Sequence, residues 1–215
     1  MRVPVGFGIL VALAVTSPLN SDLFSPQPAT EECEKRLQGF NSSFAEFLAE
    51  PDIEHTKIMM IFLECKLAYW DKYSNDQAGS IIETIGDRAI EPAFEYLLRF
   101  LRIDPEFPGA DPLRVGAIIA VGKIRSPRSF DEIAGIVTSS QDVSLLSSGA
   151  VALGLLRDRR AADLLLVLAV HENDDIRQRS MSSLAEYCVA EPKGLVSPRL
   201  SEVRLIPGDL TPERG

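Results

Sequence analysis

The sequence predicts an all-α protein built as an α-solenoid, a stack of helix pairs. Apolar and small residues recur at helical spacing in three segments between residues 111 and 187, with equivalent positions 32 and then 31 residues apart. A period of about 30 residues is typical of solenoids, because no single helix pair can bury its own apolar side. The equivalent positions are Leu113, Ala117, Val121, Gly122 and Ile124, then Leu145, Gly149, Leu153, Gly154 and Leu156, and finally Ile176, Ser180, Leu184, Ala185 and Tyr187.

The composition is that of an ordinary folded protein, with 46% hydrophobic and 25% charged residues in a chain of 215. The formal net charge is −9. That balance repels a phosphate backbone, because nucleic-acid binding draws on clustered lysine and arginine. We therefore expect no nucleic-acid partner and no adhesion to anionic lipid by charge alone.

Residues 1–17 have the features of a secretory signal peptide. Arg2 precedes a run of about a dozen apolar residues, which contains the pair Ala12 and Ala14 and is followed by polar and turn residues. The run is shorter than the roughly 20 residues that a membrane-spanning helix needs. The sequence thus predicts export to the periplasm or the medium, and no membrane span after removal of the leader. A buried N-terminal helix and an uncleaved anchor are the alternatives; the proline-rich residues 18–29 are predicted to be a linker.

Residues 30–75 are predicted to form an N-terminal helical hairpin. An apolar stripe runs from Leu37 to Leu48, with a break at residues 39–41, and Pro51 ends the first arm. The second arm begins near residue 53 and is apolar on most sides, which indicates a central, buried position.

The three cysteines are Cys33, Cys65 and Cys188. In an exported protein Cys33 and Cys65 are the natural disulfide pair. An antiparallel hairpin brings Cys65 opposite Leu37, about one turn or roughly 6 Å from Cys33, which permits the bridge without favouring it because a disulfide needs closer Cβ atoms. Buried thiols that pack as small hydrophobes are the alternative. No pair has the C-x-x-C spacing of a zinc site.

Residues 76–189 are predicted to hold the repeated helix pairs. The first helices are expected to begin with the capping residues Asp76, Asp111, Asp142 and Asn173 or Asp174. The second helices are expected over residues 89–101, 130–137 and 161–170. Turns are predicted at residues 86–88, 126–127 and 157–158, and an insertion at residues 105–110.

Gly122, Gly154 and Ala185 occupy one recurring site in the predicted first helices. Glycine costs about 1 kcal/mol relative to alanine inside a helix. Its recurrence therefore predicts that a neighbouring helix approaches closely at this site, where a larger side chain would not fit.

The pattern Asp-x-x-Arg, followed by Ala-x-x-x-Val-Gly-x-Ile, a turn and an apolar helix, resembles the HEAT repeat. It is most similar to the short HEAT-like repeats named after phycobilisome lyases, and it covers about residues 76 to 188. The resemblance implies a right-handed, armadillo-like α-solenoid of HEAT-like helical hairpins, whose second helices line a concave surface that binds other proteins. The residues that carry it are Asp111, Arg114, Ala117, Val121, Gly122 and Ile124, then Leu145, Gly149, Leu153, Gly154 and Leu156, and then Asp174, Ile176, Arg177, Leu184 and Ala185.

A partner-binding face is predicted on the second helices, because the resemblance places them on the inner side. Their charged residues would form an acidic groove for a protein or peptide segment; a solvated face that keeps the protein soluble is the alternative. The residues of this face are Glu91, Glu95, Arg99, Asp131, Glu132 and Asp163. Residues 190–215 are predicted to be a partly disordered tail that drapes residues 203–206 over the apolar end of the last repeat.

The sequence offers no catalytic constellation. It contains no P-loop, no G-x-S-x-G elbow and no dinucleotide-binding fingerprint, and neither His55 nor His171 has a recognisable triad partner. We therefore expect no cofactor, no metal and no catalytic residue, and we predict an exported, non-catalytic scaffold or adaptor that binds a protein or peptide. A lyase-like or chromophore-handling protein and a structural subunit of an envelope complex are the alternatives.

Overall fold

The computed structural model describes residues 30–190, and the side chains of residues 30–186. This part of the chain is all-helical, as the sequence predicts, and contains no strand. None of its helices is both long enough and apolar enough to cross a bilayer. The predicted signal peptide, the linker and the tail from residue 191 onward lie outside the described residues. The helices are α1 (Thr30–Arg36), α2 (Phe40–Ala49), α3 (Ile53–Ala68), α4 (Asn75–Asp87), α5 (Phe94–Leu101), α6 (Ala110–Ile124), α7 (Ser129–Ser139), α8 (Val143–Leu156), α9 (Arg159–Leu168) and α10 (Asp174–Ala190).

The N-terminal block has three helices where the sequence predicts a hairpin of two. Gly39 adopts a left-handed backbone conformation with φ +79°, which ends the path of α1 and starts α2 in a new direction. Both α1 and α2 pack against α3. Cys33 of α1 and Cys65 of α3 are fully buried and form a disulfide, with their Cα atoms 5.9 Å apart. The change of direction at Gly39 explains why Cys33 and Cys65 can bond. In an unbroken helix the two cysteines would lie about one helical turn out of register.

Four helices, α4, α6, α8 and α10, pack one on the next in chain order. The contacts are made at glycines. A Cβ atom at Gly122 would lie 2.8 Å from the Cα of Ala152, and one at Gly154 would lie 2.7 Å from the Cβ of Ser183. Cβ atoms do not approach other atoms so closely, so only glycine permits these contacts. The close helix approach predicted at Gly122 and Gly154 is confirmed.

Two of the predicted helix caps are confirmed. The side chain of Asp142 accepts hydrogen bonds from the backbone amides two and three residues ahead, at 2.8 and 3.3 Å. Asn173 caps α10 in the same way, at 3.0 and 3.3 Å. Short polar side chains satisfy the free amides at a helix start, and this local chemistry can be recognised from sequence.

Several predicted boundaries are wrong, among them the start of the helix expected over residues 89–101, since α5 begins only at Phe94. The cap of α4 is Ser74 rather than Asp76, and the side chain of Ser74 accepts a hydrogen bond from the amide three residues ahead. Helix α6 begins two residues earlier than predicted, because Gly109, with φ +73°, and not Asp111 is the residue that precedes its first turn. Gly86, expected in a turn, lies inside α4, where a Cβ would be 2.8 Å from the Cα of Ala120 of α6.

Helices α5, α7 and α9 lie beside this row. Helix α5 packs against α6, α7 packs against α8, and α9 packs against α10. Helix α7 also contacts α9. One hydrophobic core runs through the described residues from Phe47 in α2 to Ile176 in α10. The predicted insertion closes the core near Trp70, whose indole Nε1 donates a hydrogen bond to the carbonyl of Pro108 at 2.9 Å. The Trp70 ring also stacks on Phe107, with the ring centres 5.6 Å apart.

Candidate protein-binding surface

The exposed sides of α5, α7 and α9, here called the second-helix surface, each carry an acidic residue two positions before a fully buried one. These residues are Glu95, Asp131 and Asp163, which lie 36 and 32 residues apart and are all exposed. Within the described part of the chain, Asp163 forms no ion pair. The residues two positions further along fix the orientation of each helix because they are fully buried: Leu97, Ile133 and Leu165.

An arginine that lies just before α7 binds Glu95, the first of these acids. Arg128, which precedes α7, forms an ion pair with Glu95 of α5. Its guanidinium lies 5.5 Å from the centre of the Phe94 ring, at the distance of a cation–π contact. Hydrogen bonding to the Glu95 carboxylate raises the pKa of Arg128. Phe94, Glu95 and Arg128 are the first acid–arginine–aromatic cluster.

The same arrangement is found between α7 and α9. Arg160 of α9 pairs with Asp131 of α7 at 3.1 Å, and its guanidinium lies 4.1 Å from the centre of the Phe130 ring. Arg160 is also bound by Asp158 at 2.8 Å, and this hydrogen bond raises the pKa of Arg160 and lowers that of Asp158. Phe130, Asp131 and Arg160 are the second acid–arginine–aromatic cluster.

The other predicted residues of this face have different surroundings. Glu132 is half-buried and is bound by Arg102 at 3.0 Å and by Arg128 at 3.5 Å. Glu91 lies in the 3-10 turn before α5 rather than on the helix, and it forms no ion pair within the described residues. Arg99 is exposed on α5 and belongs to neither cluster. The surface is therefore a row of fixed opposite charges rather than a purely acidic groove.

Three arginines of this surface, Arg102, Arg128 and Arg160, were not identified from the sequence. A signal was present, since Arg128 and Arg160 lie 32 residues apart, the spacing that also relates Gly122 and Gly154. The ion pairs that these arginines form depend on how α5, α7 and α9 lie side by side, and no local sequence pattern shows that arrangement.

The N-terminal helices form a second feature that was not predicted, a cleft of about 490 Å³. Phe40 and Phe62 stack in it with ring centres 4.5 Å apart, and Tyr73 meets Phe62 edge-on at 5.6 Å. The Tyr73 hydroxyl is buried, has no hydrogen-bond partner within the described part, and has its pKa raised by burial. The cleft is also lined by the Glu34–Lys72 ion pair and by a set of aliphatic, small and amide residues: Leu37, Gly39, Asn41, Ser42 and Gln77.

The two histidines lie away from both features. Nε2 of His55 lies 2.6 Å from a Glu46 carboxylate oxygen, and its Nδ1 lies 3.0 Å from Asp52. Nδ1 of His171 accepts a hydrogen bond from the amide of Asn173 at 3.0 Å. Over residues 30–186, no three His, Cys, Asp or Glu side chains are grouped so that they could hold a metal ion.

Comparison with models of known protein families and with curated proteins finds no match to this chain. The second-helix surface is thus described by its own residues: two clusters of an acid, an arginine and a phenylalanine, one joining α5 to the residue before α7 and one joining α7 to α9.

Proposed function

We propose that this protein is a non-catalytic scaffold that binds a protein or peptide partner on the second-helix surface. The repeated acid–arginine–aromatic cluster carries the proposal. The side chains of Arg128 and Arg160 are 56% and 52% exposed, so each guanidinium keeps donors free for carboxylate or carbonyl oxygens of a partner. Each is already held by a carboxylate and a ring, which reduces the entropy lost on binding. Arginine is also among the residues that most often dominate the binding energy of protein interfaces.

We further propose that the helix pairs form a right-handed, HEAT-like α-solenoid, a fold that offers extended binding surfaces. The stacking of α4, α6, α8 and α10 supports this interpretation. A recurring turn also supports it, because Ala89, Arg125 and Arg157 each follow a stacking glycine by three residues and have φ angles of 50°, 55° and 54°. An experimental structure in which α4–α6 and α6–α8 packed at unrelated angles would contradict the proposal.

We infer that the protein acts outside the cytosol, in the periplasm or the medium. The Cys33–Cys65 disulfide supports this inference, because disulfides persist in oxidising compartments and are rare in the cytosol. N-terminal sequencing of the mature chain tests it, with a start near residue 18 expected. A cytosolic chain that retains Met1 and reacts with thiol reagents at Cys33 would contradict it.

The binding proposal is tested by capturing partners from the exported fraction and measuring their affinity for matched variants. The variant is Arg128→Glu with Arg160→Glu, which reverses both clustered charges. The control is Arg179→Glu, because Arg179 is a similarly exposed arginine, 57%, that pairs with an acid on α10. We expect the control to bind like the wild type and the double variant to lose at least about tenfold in affinity, since each residue that dominates an interface contributes more than about 1 kcal/mol.

If a partner bound the double variant as tightly as it binds the Arg179→Glu control, the interface would lie elsewhere on the molecule. The urea midpoint of the double variant must be measured in parallel, so that lost binding is not confused with unfolding. Turnover of a small molecule by the purified protein, without any protein partner, would contradict the proposed class of function.

A further inference from the structure

The cleft between the N-terminal helices has the size and the lining of a small-molecule site. Its volume of about 490 Å³ falls within the range of roughly 300–1,000 Å³ that such sites usually have. Phe62 of α3 forms the floor and is only 2% exposed. Three half-buried side chains surround it, from the end of α1, the start of α2 and the loop before α4: Leu37, Phe40 and Tyr73. A molecule that displaces water from these side chains is bound by the hydrophobic effect.

The walls of the cleft are fixed by covalent and buried polar contacts. The Cys33–Cys65 disulfide ties α1, which carries Glu34, to α3, which carries Phe62. Tyr73 is held at its backbone, because the buried ammonium of Lys66 donates a hydrogen bond to the Tyr73 carbonyl at 2.7 Å. A preformed site loses little conformational entropy when a ligand binds.

One polar group of the lining lacks a partner. The Tyr73 hydroxyl is buried and makes no hydrogen bond within the described residues. A buried hydroxyl without a partner is unfavourable, and folded proteins keep few of them. Burial raises the pKa of Tyr73, so the hydroxyl keeps its proton at neutral pH and can donate it to an oxygen acceptor.

The charges at the cleft favour an uncharged ligand. Glu34 and Lys72 both line it and form an ion pair with each other. The hydrogen bond from Lys72 to Glu34 raises the pKa of Lys72, which keeps the pair intact at neutral pH. The paired charges leave no net charge to attract an ion. The other polar residues of the lining are uncharged: Asn41, Ser42, Tyr73 and Gln77.

We propose that the cleft binds a small, uncharged ring compound that carries a carbonyl oxygen. The ring packs on the apolar side chains of the cleft, and the oxygen accepts a hydrogen bond from the Tyr73 hydroxyl. This hydroxyl is covered in the unliganded protein, so a side chain of the lining changes its rotamer as the ligand enters, which is common on binding. The site goes beyond the proposed partner binding and uses none of the residues of the second-helix surface.

Two probes of equal heavy-atom count test the role of the hydroxyl. Acetophenone has a ring and a carbonyl oxygen, and cumene has the same ring without the acceptor. Their affinities are measured by NMR titration of the full-length protein and of Tyr73→Phe. We expect Tyr73→Phe to bind acetophenone about fivefold more weakly than the wild type, the value of one neutral hydrogen bond, and to bind cumene unchanged. Benzoate at pH 7 should bind the wild type more weakly than acetophenone, because its charge must be desolvated.

A matched pair of tryptophan substitutions locates the site. Ser42→Trp places a large ring in the cleft from an exposed position of its lining. Ala45→Trp is the control, because Ala45 is exposed on the same helix and does not line the cleft. We expect Ser42→Trp to lose acetophenone binding and Ala45→Trp to retain it. The urea midpoints of both variants are measured in parallel, so that lost binding is not confused with unfolding.

Four results would overturn the proposal. The first is no binding of acetophenone by the wild type at millimolar concentration, which would mean that the cleft is closed or is occupied by the chain itself or by a second copy. The second is a Ser42→Trp variant that binds acetophenone as the control does. The third is a Tyr73→Phe variant that changes the affinity for both probes equally or for neither. The fourth is tighter binding of benzoate than of acetophenone. No protein partner takes part in these measurements, so they are distinct from failure of the binding proposal.

Discussion

Single residues decide how closely the first helices stack. A Cβ at Gly122 would lie 2.8 Å from both the Cα and the carbonyl oxygen of Ala152. These are backbone atoms, so relief of the contact requires movement of α8 rather than rotation of a side chain. Gly135 of α7 offers a comparison, since its Cβ would meet nothing within 4 Å. Substitutions at these two glycines therefore distinguish the effect of helix packing on stability from the effect of helix propensity.

We predict opposite effects on stability for alanine at these two positions. Gly122→Ala should lower the free energy of unfolding by about 1–3 kcal/mol, because overpacking displaces a helix. Gly135→Ala should raise it by up to about 1 kcal/mol, because alanine favours the helix and meets no neighbour. Urea unfolding of both variants is the measurement. Equal stabilisation by the two substitutions would show that α6 and α8 do not meet at Gly122.

Lys66 is a charged residue inside the core, with 1% of its surface exposed. Its ammonium donates hydrogen bonds to the carbonyl oxygen of Trp70 and, at 2.7 Å, to that of Tyr73. It also lies 4.1 Å from the centre of the Trp70 ring. Burial lowers the pKa of Lys66, partly offset by the nearby Asp71 carboxylate. The ammonium joins α3 to the loop that precedes α4.

We expect Lys66→Met to destabilise the protein by about 1–3 kcal/mol. The substitution preserves side-chain volume but leaves the carbonyl groups of Trp70 and Tyr73 without their donor, and unsatisfied buried groups cost about that much. Lys57→Met is the control, since Lys57 is exposed and a surface change is worth no more than about 0.5 kcal/mol. Equal urea midpoints for the two variants would show that the buried hydrogen bonds contribute nothing.

At the scale of an element, Asp158 starts α9 and also fixes Arg160 on the second-helix surface. Its side chain accepts a hydrogen bond from the Arg160 amide at 2.9 Å, and the Arg160 side chain binds the same carboxylate. The Arg160 side-chain hydrogen bond is the main cause of the lowered pKa of Asp158. One carboxylate thus links the helix cap to the second acid–arginine–aromatic cluster.

The lowered pKa of Asp158 predicts a dependence of stability on pH. A carboxyl whose folded pKa is depressed stabilises the fold above its ordinary pKa of 3.8, and this contribution is lost as the pH falls through the folded pKa. Asp158→Asn keeps a capping side chain and removes the charge. We expect the wild type to be more stable than this variant at pH 7 by no more than about 1 kcal/mol, since the pair is partly exposed. The difference should vanish in acid.

The control for this pH effect is the same substitution in an Arg160→Ala background, where the stability difference at pH 7 should shrink. A difference that persists unchanged below the folded pKa would mean that the charge of Asp158 is not its source. Urea unfolding at pH 7 and in acid provides both comparisons.

Helix α1 depends on the disulfide for its position. It contributes a single buried residue, Cys33, which is bonded to Cys65 of α3. Beyond this bond, Arg36 of α1 pairs with Glu64 at 3.2 Å and Glu34 of α1 pairs with Lys72. One buried side chain and two surface ion pairs provide little stabilisation for a helix of this length.

We predict that reduction of the disulfide lowers the free energy of unfolding by about 3–4 kcal/mol, as the chain-entropy model gives for a loop of 32 residues. Reduction should also expose α1 to trypsin at Lys35 and Arg36. The Cys33→Ala, Cys65→Ala variant is the control, and its midpoint and cleavage pattern should not respond to a reductant. A wild type that is equally indifferent to the reductant would refute the assigned role of the bond.

At the scale of the whole molecule, one hydrophobic core joins the helices from α2 to α10. Ile118 of α6 is fully buried near its middle, whereas Trp70, the one tryptophan of the sequence, packs against Phe100 and Phe107 nearer the N-terminus. A continuous core couples the unfolding of distant parts, so Trp70 fluorescence and helix content should report the same transition.

We predict that Ile118→Ala costs about 2–5 kcal/mol, the usual range for such a truncation in a core. The midpoints from Trp70 fluorescence and from circular dichroism should shift together. Ile119→Ala, at a half-buried neighbour, should cost less. A shift of the dichroism midpoint alone would show that the N-terminal helices unfold independently of the stacked ones.

The sequence by itself determined the features that depend on a few neighbouring residues. Apolar spacing predicted the helices, Asp142 and Asn173 were recognised as caps, and the recurring Gly122 and Gly154 indicated close approach of helices. Each of these follows from the helix period or from a side chain that binds its own backbone, so local order along the chain is sufficient.

Only the tertiary structure decided what lies across each helix. It joined Arg128 to Glu95 and Arg160 to Asp131, and it decided between a Cys33–Cys65 disulfide and buried thiols, the two alternatives that the sequence left open. These contacts connect residues about 30 positions apart, and their geometry depends on the rotation and tilt that the packed core imposes on each helix. The sequence indicates a break at residues 39–41, but the direction that α2 takes after Gly39 depends on how α1 and α2 pack against α3, and no local pattern specifies that packing.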